Sequence, residues 1–323
     1  ILVFDEADRM LSMGFYPDMR RLQQYLPQKL YTCMYSATFP QTVRSLARQF
    51  MHEPEFLSLS QDSVHVAETN HQIVVVDPMG KDRALVRLIE MENPDSAIIF
   101  CNTKQRTHYV AVVLQRFGYN ADELSGDLDQ RNRERVMQKL RQGHLRFLVA
   151  TDVAARGIDI SDLSHVFQYE VPEDPEVYIH RAGRTGRAGA TGTAISLIGE
   201  FMDETLIQRI GKRYSIEFEE RPSPTDEDVA QIVAERTTVR LETQLMDRDS
   251  LQVERMQRFV PAVKELIDDE HGISLIAMLL DDYYQQSLHA PPQLPGMDKP
   301  QQPQKQSGKK KRNRRRYQGK KKG

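Results

Sequence analysis

The chain has few cysteines and no long apolar runs, and each absence excludes a class of protein. Only two of its 323 residues are cysteine, Cys33 and Cys101, and both lie in apolar runs. Two scattered thiols form no disulfide framework, so we expect small buried side chains and a reducing, cytoplasmic compartment. No stretch of about 18 apolar residues occurs, so we expect no transmembrane helix and no membrane partner.

The chain opens on Ile1-Leu2-Val3-Phe4, which is typical of a buried strand. An apolar, β-branched run followed at once by polar residues favours a parallel strand whose carboxyl end lies at a site. A protein is not expected to begin inside a strand. We therefore interpret the chain as an N-terminally truncated fragment.

Positive charge is concentrated at the end of the chain. Residues 305–323 hold 11 Lys or Arg and no acid, which leaves 33 basic against 46 acidic residues elsewhere. An acidic body with a basic tail indicates that the tail supplies the long-range attraction to polyanions.

Strand-like runs alternate with helical patterns in two stretches. The first predicts strands at 1–4, 31–35 and 55–59 and helices near 17–26 and 40–50. The second predicts strands at 71–76, 97–101, 119–123, 146–150, 165–168 and 192–198 and helices near 80–92, 104–117, 129–142, 175–182 and 200–212. This alternation predicts an α/β fold with mostly parallel sheets, whose functional residues follow the strands.

Breaks in composition divide the chain into five segments. A polar run and the prolines at 222 and 224 mark boundaries, and Pro, Gln, Gly and basic residues dominate the end. The predicted segments are a partial first domain (1–59), a linker (60–70), a second domain (71–221), a helical extension (222–289) and a disordered basic tail (290–323).

Acidic residues follow the first strand in Asp5-Glu6-Ala7-Asp8. One carboxylate at a strand end suits Mg²⁺, and a second can orient or deprotonate an attacking water. The tetrad alone is equally typical of a helix N-terminus, where the helix dipole favours acids.

Two further motifs have an ordinary structural interpretation beside the functional one. Ser36-Ala37-Thr38 follows a strand but also suits a helix N-cap. Gln130 and Arg133 share a helix face that could hold a phosphodiester backbone or simply face solvent.

Two later motifs carry stronger signals. Thr151-Asp152 opens a run that contains Arg156 and Asp159, directly after a strand, where amides, hydroxyls and arginine bind phosphate. The run 180–187 places three arginines and two glycines together, which favours a developing phosphoryl charge as the partner.

The order of these motifs resembles that of DEAD-box RNA helicases, bacterial cold-shock type. Six motifs match in order over residues 1–221: Asp-Glu-Ala-Asp, Ser-Ala-Thr, the strand 98–103, Gly-Asp-x-x-Gln-x-x-Arg, Thr-Asp-x-x-x-Arg-Gly-x-Asp and His-Arg-x-Gly-Arg-x-x-Arg. The resemblance implies two RecA-like parallel-sheet domains, the first one partial.

The resemblance also implies roles for individual residues. The catalytic residues would be Asp5 (Mg²⁺ through water), Glu6 (hydrolytic water) and the arginine fingers Arg184 and Arg187. The coupling residues would be Asp8 with Ser36 and Thr38, and His180 and Arg181 at the interface between domains. Nucleotide binding would involve Gly157 and Asp159, and the RNA backbone would contact Thr103, Gly126, Gln130, Arg133 and Thr151.

The implied activity is ATP- and Mg²⁺-dependent local unwinding of short RNA duplexes. The phosphate-cradling Gly-x-x-x-x-Gly-Lys-[Ser/Thr] sequence is absent from the chain, so we expect no ATP hydrolysis by these residues alone. A non-enzymatic RNA-binding scaffold is the alternative function. The extension 222–289 resembles a dimerisation segment, and its apolar cluster at 273–280 could either pack back on the chain or form a homodimer.

Overall fold

The computed structural model describes residues 1–12, 14–27, 30–36, 39, 41–57, 69–155, 160, 163–186 and 192–288. The chain divides into two compact units, Ile1–Val64 and His65–Gly323. The division falls within the segment 60–70, most of which lies outside the described residues, while Thr69 and Asn70 already belong to a strand. The predicted tail 290–323 also lies outside the described residues.

The smaller unit has two parallel strands with helices against them. Its elements are β1 (Leu2–Phe4), α1 (Ala7–Ser12), α2 (Tyr16–Gln23), β2 (Thr32–Met34) and α3 (Gln41–Phe50). Phe4, Val43 and Leu46 form the buried centre, because β1 and α3 each turn an apolar face toward the other. The strand predicted at 55–59 is wrong where the structure describes it, since residues 55–57 belong to no strand.

The larger unit is built on a seven-stranded, wholly parallel sheet in the order β5-β6-β4-β7-β8-β3-β9. The strands are β3 (Thr69–Val75), β4 (Ala97–Phe100), β5 (Ala121–Leu124), β6 (Phe147–Ala150), β7 (His165–Gln168), β8 (Gly192–Ile198) and β9 (Glu219–Arg221). The helices that connect them are α4 (Lys81–Glu92), α5 (Lys104–Arg116), α6 (Gln130–Arg141), α7 (Asp152–Ala155), α8 (Pro175–Ala182) and α9 (Phe201–Tyr214). The predicted α/β class and parallel sheet are confirmed.

Both faces of this sheet are buried under helices. Along β4, Ile98 and Phe100 enter one apolar cluster, whereas Ala97 and Ile99 enter a second cluster on the opposite face. Successive side chains of a strand point to opposite faces, so a strand covered on both sides reads as an unbroken apolar run. Each fully buried Ile or Phe side chain contributes about 1.5–3 kcal/mol relative to exposure.

The register of the sheet brings four strand ends to one level. Phe100 pairs with Ala150 and with Gln168, and Ala150 pairs with Leu124. Because all four strands are parallel, the residues that follow them emerge along a single edge. This edge, formed by the residues that follow β5, β6, β4 and β7, is called the carboxyl edge below.

The helical extension packs against the end of α4. Its helices are α10 (Asp226–Met246), α11 (Ser250–Gln257), α12 (Val260–Ile267) and α13 (Glu270–Leu288). Arg236 of α10 donates to the carbonyl oxygens of Glu90 and Met91, and the Tyr284 hydroxyl of α13 donates to the Glu90 carboxylate at 2.7 Å. Burial raises the pKa of the Tyr284 hydroxyl, which therefore remains a donor.

Several apolar side chains of α12 and α13 remain exposed within this chain. They include Val263, Ile267, Ile273, Met278 and Leu279, which are 43–59% exposed. Among the helices of the described ranges, none combines the length and apolar character needed to cross a membrane.

Candidate functional site

The acidic tetrad of the smaller unit lies where β1 ends. The Asp8 backbone N–H donates to the Ser36 hydroxyl oxygen at 3.1 Å, which joins the tetrad to the residues after β2. Parallel pairing of β1 with β2 produces this contact, because Phe4 and Met34 are partners in register. The structure thus brings together Asp8 and Ser36, two of the predicted coupling residues, while Thr38 lies outside the described residues.

The backbone of Glu6 is strained. Its φ of 51° lies in the left-handed region, which costs a residue with a side chain roughly 1–2 kcal/mol. The Asp5 carboxylate accepts the Glu6 N–H at 2.9 Å, which holds the turn. Strain of this kind is concentrated at functional sites, and here it turns the chain sharply at the strand end.

An exposed carboxylate at a strand end fits Mg²⁺. Asp5 is exposed and supplies hard oxygen donors, and Mg²⁺ commonly takes one or two carboxylates while keeping several waters. In the described part of the chain, no cluster of three or more His, Cys, Asp or Glu forms a complete metal cage. Asp5 is therefore the residue of the tetrad that would hold the ion.

In the larger unit, the carboxyl edge gathers three of the predicted RNA contacts. Thr103, Gly126 and Thr151 lie within three residues of the ends of β4, β5 and β6, respectively. Thr103 also caps α5, since its hydroxyl accepts the Arg106 N–H at 3.2 Å. Gly126 is exposed, and Lys104 forms an ion pair with Asp127 beside it.

The remaining two predicted RNA contacts lie on α6, which Asp129 caps by accepting the Asn132 N–H at 2.7 Å. Gln130 is exposed and donates to Glu134 along the helix at 2.8 Å. Arg133 is half-buried and donates to the Ala154 carbonyl oxygen of α7 at 2.7 Å. Arg133 therefore fixes the segment that begins at Thr151, and Gln130 is the member of the pair that faces solvent.

Arg181 of α8 is buried, with 1% of its side chain exposed. Its guanidinium forms a bidentate salt bridge with the Asp152 carboxylate, and both N···O distances are 2.7 Å. It also donates to Asn102 Oδ1 at 2.7 Å and to the Glu170 carbonyl oxygen at 2.7 Å. A longer contact of 3.5 Å reaches Gln168 Oε1. All five N–H groups of this guanidinium thus have acceptors within the larger unit.

The loop after α8 carries Arg184. Its backbone N–H donates to the Arg181 carbonyl oxygen at 3.1 Å, and its own carbonyl accepts the Leu163 N–H. The Thr185 hydroxyl, which is buried, donates to the carbonyl oxygens of Leu163 and Ser164. These bonds attach the loop to the segment before β7.

Gly192 at the start of β8 lets this loop approach closely. A Cβ atom at position 192 would lie 2.3 Å from the Gly186 nitrogen and 2.3 Å from the Thr185 hydroxyl. No real side chain tolerates such a distance to backbone. The first residue of β8 must therefore lack a side chain if the loop is to keep its place.

Comparisons with known proteins show which family combines these features. The family described as "Helicase conserved C-terminal domain" matches residues 80–189, and "DEAD/DEAH box helicase" matches residues 1–46. RNA helicase CrhR of Synechocystis sp. is 38% identical over 288 residues, which cover 88% of this chain and 57% of that protein. The chain belongs to the DEAD-box helicase family.

Further DEAD-box relatives agree in sequence and in structure. DEAD-box ATP-dependent RNA helicase CshA of Bacillus subtilis is 34% identical over 276 residues, covering 85% of this chain and 54% of that protein. The solved structure of S. cerevisiae Dbp5 bound to RNA and ADP BeF3 has a TM-score of 0.62 and 31% identity, covering 71% of this chain and 61% of that one. The chain spans about half the length of the curated DEAD-box relatives it matches.

Several motif residues of the DEAD-box pattern lie outside the described residues. They are Thr38, Gly157, Asp159 and Arg187. Their predicted roles stay predictions. His180 is half-buried at the end of α8, and its predicted role between domains likewise stays a prediction.

No function of their own is predicted from the sequence for Asn102, Asp152 and Glu170, although Asn102 and Asp152 belong to DEAD-box motifs. Their position directly after buried strands was the available signal. Cys101, which precedes Asn102, is fully buried, and burial raises the pKa of its thiol to about 12. It therefore remains a protonated thiol at neutral pH and takes no part in chemistry as a thiolate.

Proposed function

We propose that this chain is part of an ATP-dependent RNA helicase that opens short RNA duplexes locally. The observation that supports this most directly is the carboxyl edge, where sheet register gathers Thr103, Gly126 and Thr151. Hydroxyls, amides and a residue without a side chain suit contacts with phosphate and sugar, which carry no sequence information. The protein would therefore recognise RNA through its backbone and shape.

Roles in the ATP chemistry are proposed for residues of each unit. Bound ATP with Mg²⁺ would supply the γ-phosphoryl group and the neutralising charge. Asp5 would hold the ion through water, Glu6 would orient the attacking water, and Arg184 with Arg187 would stabilise the developing charge. Asp159 and Gly157 would contact the nucleotide.

The chain by itself is proposed to bind RNA without hydrolysing ATP, since its sequence contains no Gly-x-x-x-x-Gly-Lys-[Ser/Thr] loop. That would make these 323 residues an RNA-binding scaffold when they act alone. A phosphate-release assay with single-stranded RNA tests this, and RNA-stimulated turnover by the wild-type chain would contradict it.

RNA binding is tested with a matched pair of variants on α6. Gln130 and Gln138 are both exposed on this helix. Gln130→Ala should weaken binding of a labelled single-stranded RNA about tenfold, because a hydrogen bond to a charged phosphate is worth about 1.5 kcal/mol. Gln138→Ala is the control and should bind as wild type. Equal affinities for all three proteins, or equal affinity for DNA of the same sequence, would count against RNA recognition at this edge.

The basic segment 305–323 is proposed to act as an RNA tether. Its 11 positive charges would release counterions from RNA, so affinity should fall steeply as salt concentration rises. Replacing the arginines at 314–316 by glutamine should reduce that slope by about 2–3 units of log affinity per log salt. An unchanged slope would contradict the tether.

A homodimer through the extension is proposed on the exposed apolar side chains of α12 and α13. Met278 and Leu279 are 53% and 59% exposed, and a second copy would cover them. Sedimentation of the full chain at micromolar concentration should show a dimer that Leu279→Glu dissociates. Val239→Glu, on α10 at a site 60% exposed, is the control. A wild-type monomer would contradict the proposal.

A further inference from the structure

We propose that Arg181 is a positioning residue that links the candidate RNA contacts of the carboxyl edge to Arg184. The proposal rests on the proposed function and adds a physical connection between its two halves. Its basis is that one buried guanidinium binds residues adjacent to the RNA contacts, while its own backbone holds the loop of Arg184.

On the RNA side, two acceptors of Arg181 are chain neighbours of predicted contacts. Asn102 precedes Thr103, and Asp152 follows Thr151. Both Asp152 oxygens are engaged at 2.7 Å, so the plane of this carboxylate is fixed, and Asn102 Oδ1 accepts at the same distance. Movement of either threonine would therefore stretch a charge-assisted hydrogen bond.

Asn102 is additionally attached to the end of β7. Its backbone N–H donates to the Glu170 carboxylate at 2.7 Å, and its side-chain amide donates to the Val171 carbonyl oxygen at 3.1 Å. Arg181 also donates to the Glu170 carbonyl oxygen. The ends of β4, β6 and β7 thus share one buried cation.

On the nucleotide side, Arg181 lies in the last turn of α8. The Arg184 N–H donates to its carbonyl oxygen, so the first bond of the loop starts from Arg181 itself. The loop has little room to move independently, because Thr185 is bonded to Leu163 and Ser164 and position 192 permits no side chain. A displacement of Arg181 by RNA would reach Arg184 through one backbone hydrogen bond.

The variant Arg181→Lys distinguishes a positioning role from a purely stabilising one. Lys keeps the charge and the helical propensity but cannot form the planar two-pronged contact or reach five acceptors at once. Arg116→Lys is the matched control, since it makes the same chemical change at an exposed position on α5. Both variants leave every predicted RNA contact and Arg184 in place.

The first measurement is amide hydrogen exchange of the full chain without RNA. Arg181→Lys should accelerate exchange about tenfold or more in residues 101–104, 151–155 and 183–186, because the first two segments lose their contact with the guanidinium and the third is bonded to the backbone of the same residue. Exchange in α10 should stay as in wild type, and Arg116→Lys should change none of these segments. Uniform acceleration over the whole unit, or none, would show that Arg181 only stabilises the fold and would overturn the proposal.

The second measurement repeats the exchange with saturating single-stranded RNA. In wild type, RNA should slow exchange both at 101–104 and at 183–186. In Arg181→Lys, protection at 101–104 should remain while protection at 183–186 is lost. RNA protection at 183–186 that survives the substitution, or that is absent from wild type, would overturn the link.

The measurements without and with RNA distinguish failure of the link from failure of the proposed function. If RNA protects neither 101–104 nor 151–155 of the wild-type chain, the proposed function fails and the link fails with it, whereas the RNA-free arm still decides whether the three segments are held together. Asn102→Ala is the milder variant should Arg181→Lys not fold. It removes one acceptor of Arg181 and should accelerate exchange in the same segments by about threefold. Exchange rates equal to those of wild type would contradict the role of Arg181.

Discussion

Two arginine–carboxylate contacts join elements of the larger unit, and water reaches their arginines to different extents. At the carboxyl edge, Arg181 is 1% exposed and Asp152 is 26% exposed. At the start of β7, Glu92 of α4 accepts from Arg221 of β9 at 2.7 Å, and their side chains are 20% and 29% exposed. The two pairs therefore differ in the burial of the arginine, whereas their carboxylates are exposed to a similar extent.

The difference in burial changes what each contact contributes. A cation withdrawn from water has lost its hydration, so removal of its partner leaves an uncompensated charge. Where water can reach the cation, water can replace a lost partner, and the pair contributes less. Loss of the Arg181–Asp152 contact should therefore destabilise the fold strongly, and loss of the Glu92 contact should destabilise it less.

The largest expected effect is the loss of the buried partner. Asp152→Ala should destabilise the larger unit by about 3–5 kcal/mol, because Arg181 stays buried without its carboxylate. Urea unfolding followed by far-ultraviolet circular dichroism measures this, since the chain contains no tryptophan to report by fluorescence. A loss below about 1 kcal/mol would mean that water enters the site, and the comparison would fail.

A smaller effect is expected for the same change near the surface. Glu92→Ala should cost about 1 kcal/mol, because water can reach Arg221 and the His165 ring, which lies 3.5 Å from Glu92. The same unfolding assay applies. If this variant lost as much stability as Asp152→Ala, exposure would not be what distinguishes the two contacts.

The surface contact should also depend on pH. A hydrogen bond with His165 and the charge of Arg221 lower the pKa of Glu92 from 4.5 to about 2. A lowered folded-state pKa stabilises the protein above pH 4.5, and this contribution is lost as pH falls from 4.5 toward 2. Urea midpoints measured across that range should fall less steeply in Glu92→Gln than in wild type. Parallel curves for the two proteins would refute the assignment.

The smallest effect is expected at a fully solvated pair. Lys104 and Asp127 form an ion pair with side chains 56% and 71% exposed. Asp127→Asn should change the free energy of unfolding by about 0.5 kcal/mol or less. A larger loss of stability, measured at both low and high salt, would mean that an exposed ion pair matters as much as a buried one. Burial would then not explain the difference between the contacts.

The sequence predicts the central strands β4 and β6 well because they are apolar throughout. Runs such as Ile98-Ile99-Phe100 are buried on both faces, so their pattern needs no tertiary information. It missed β9, whose residues Glu219-Glu220-Arg221 have no apolar pattern and become a strand only by pairing with β3. Local propensity gives way there to tertiary context.

The sequence predicted which residues form the candidate site but not which of them are buried. Three arginines in one short run indicated an anion-binding loop, and sequence alone did not distinguish the buried Arg181 from the others. Its acceptors Asn102 and Asp152 are distant in sequence, and only the sheet register brings them together. The predicted role of Arg181 between domains stays a prediction, whereas its contacts within the larger unit are observed.

The order of the sheet also has a consequence for synthesis on the ribosome. β3 emerges first among the strands of the larger unit, yet it pairs only with β8 and β9, which are translated last. Until Gly192 and the residues after it have left the exit tunnel, both edges of a strand that contains the apolar residues Ile73 and Val74 lack their native neighbours. Nascent chains that stall in this interval would offer those edges to other proteins, so chaperone demand should peak late in translation.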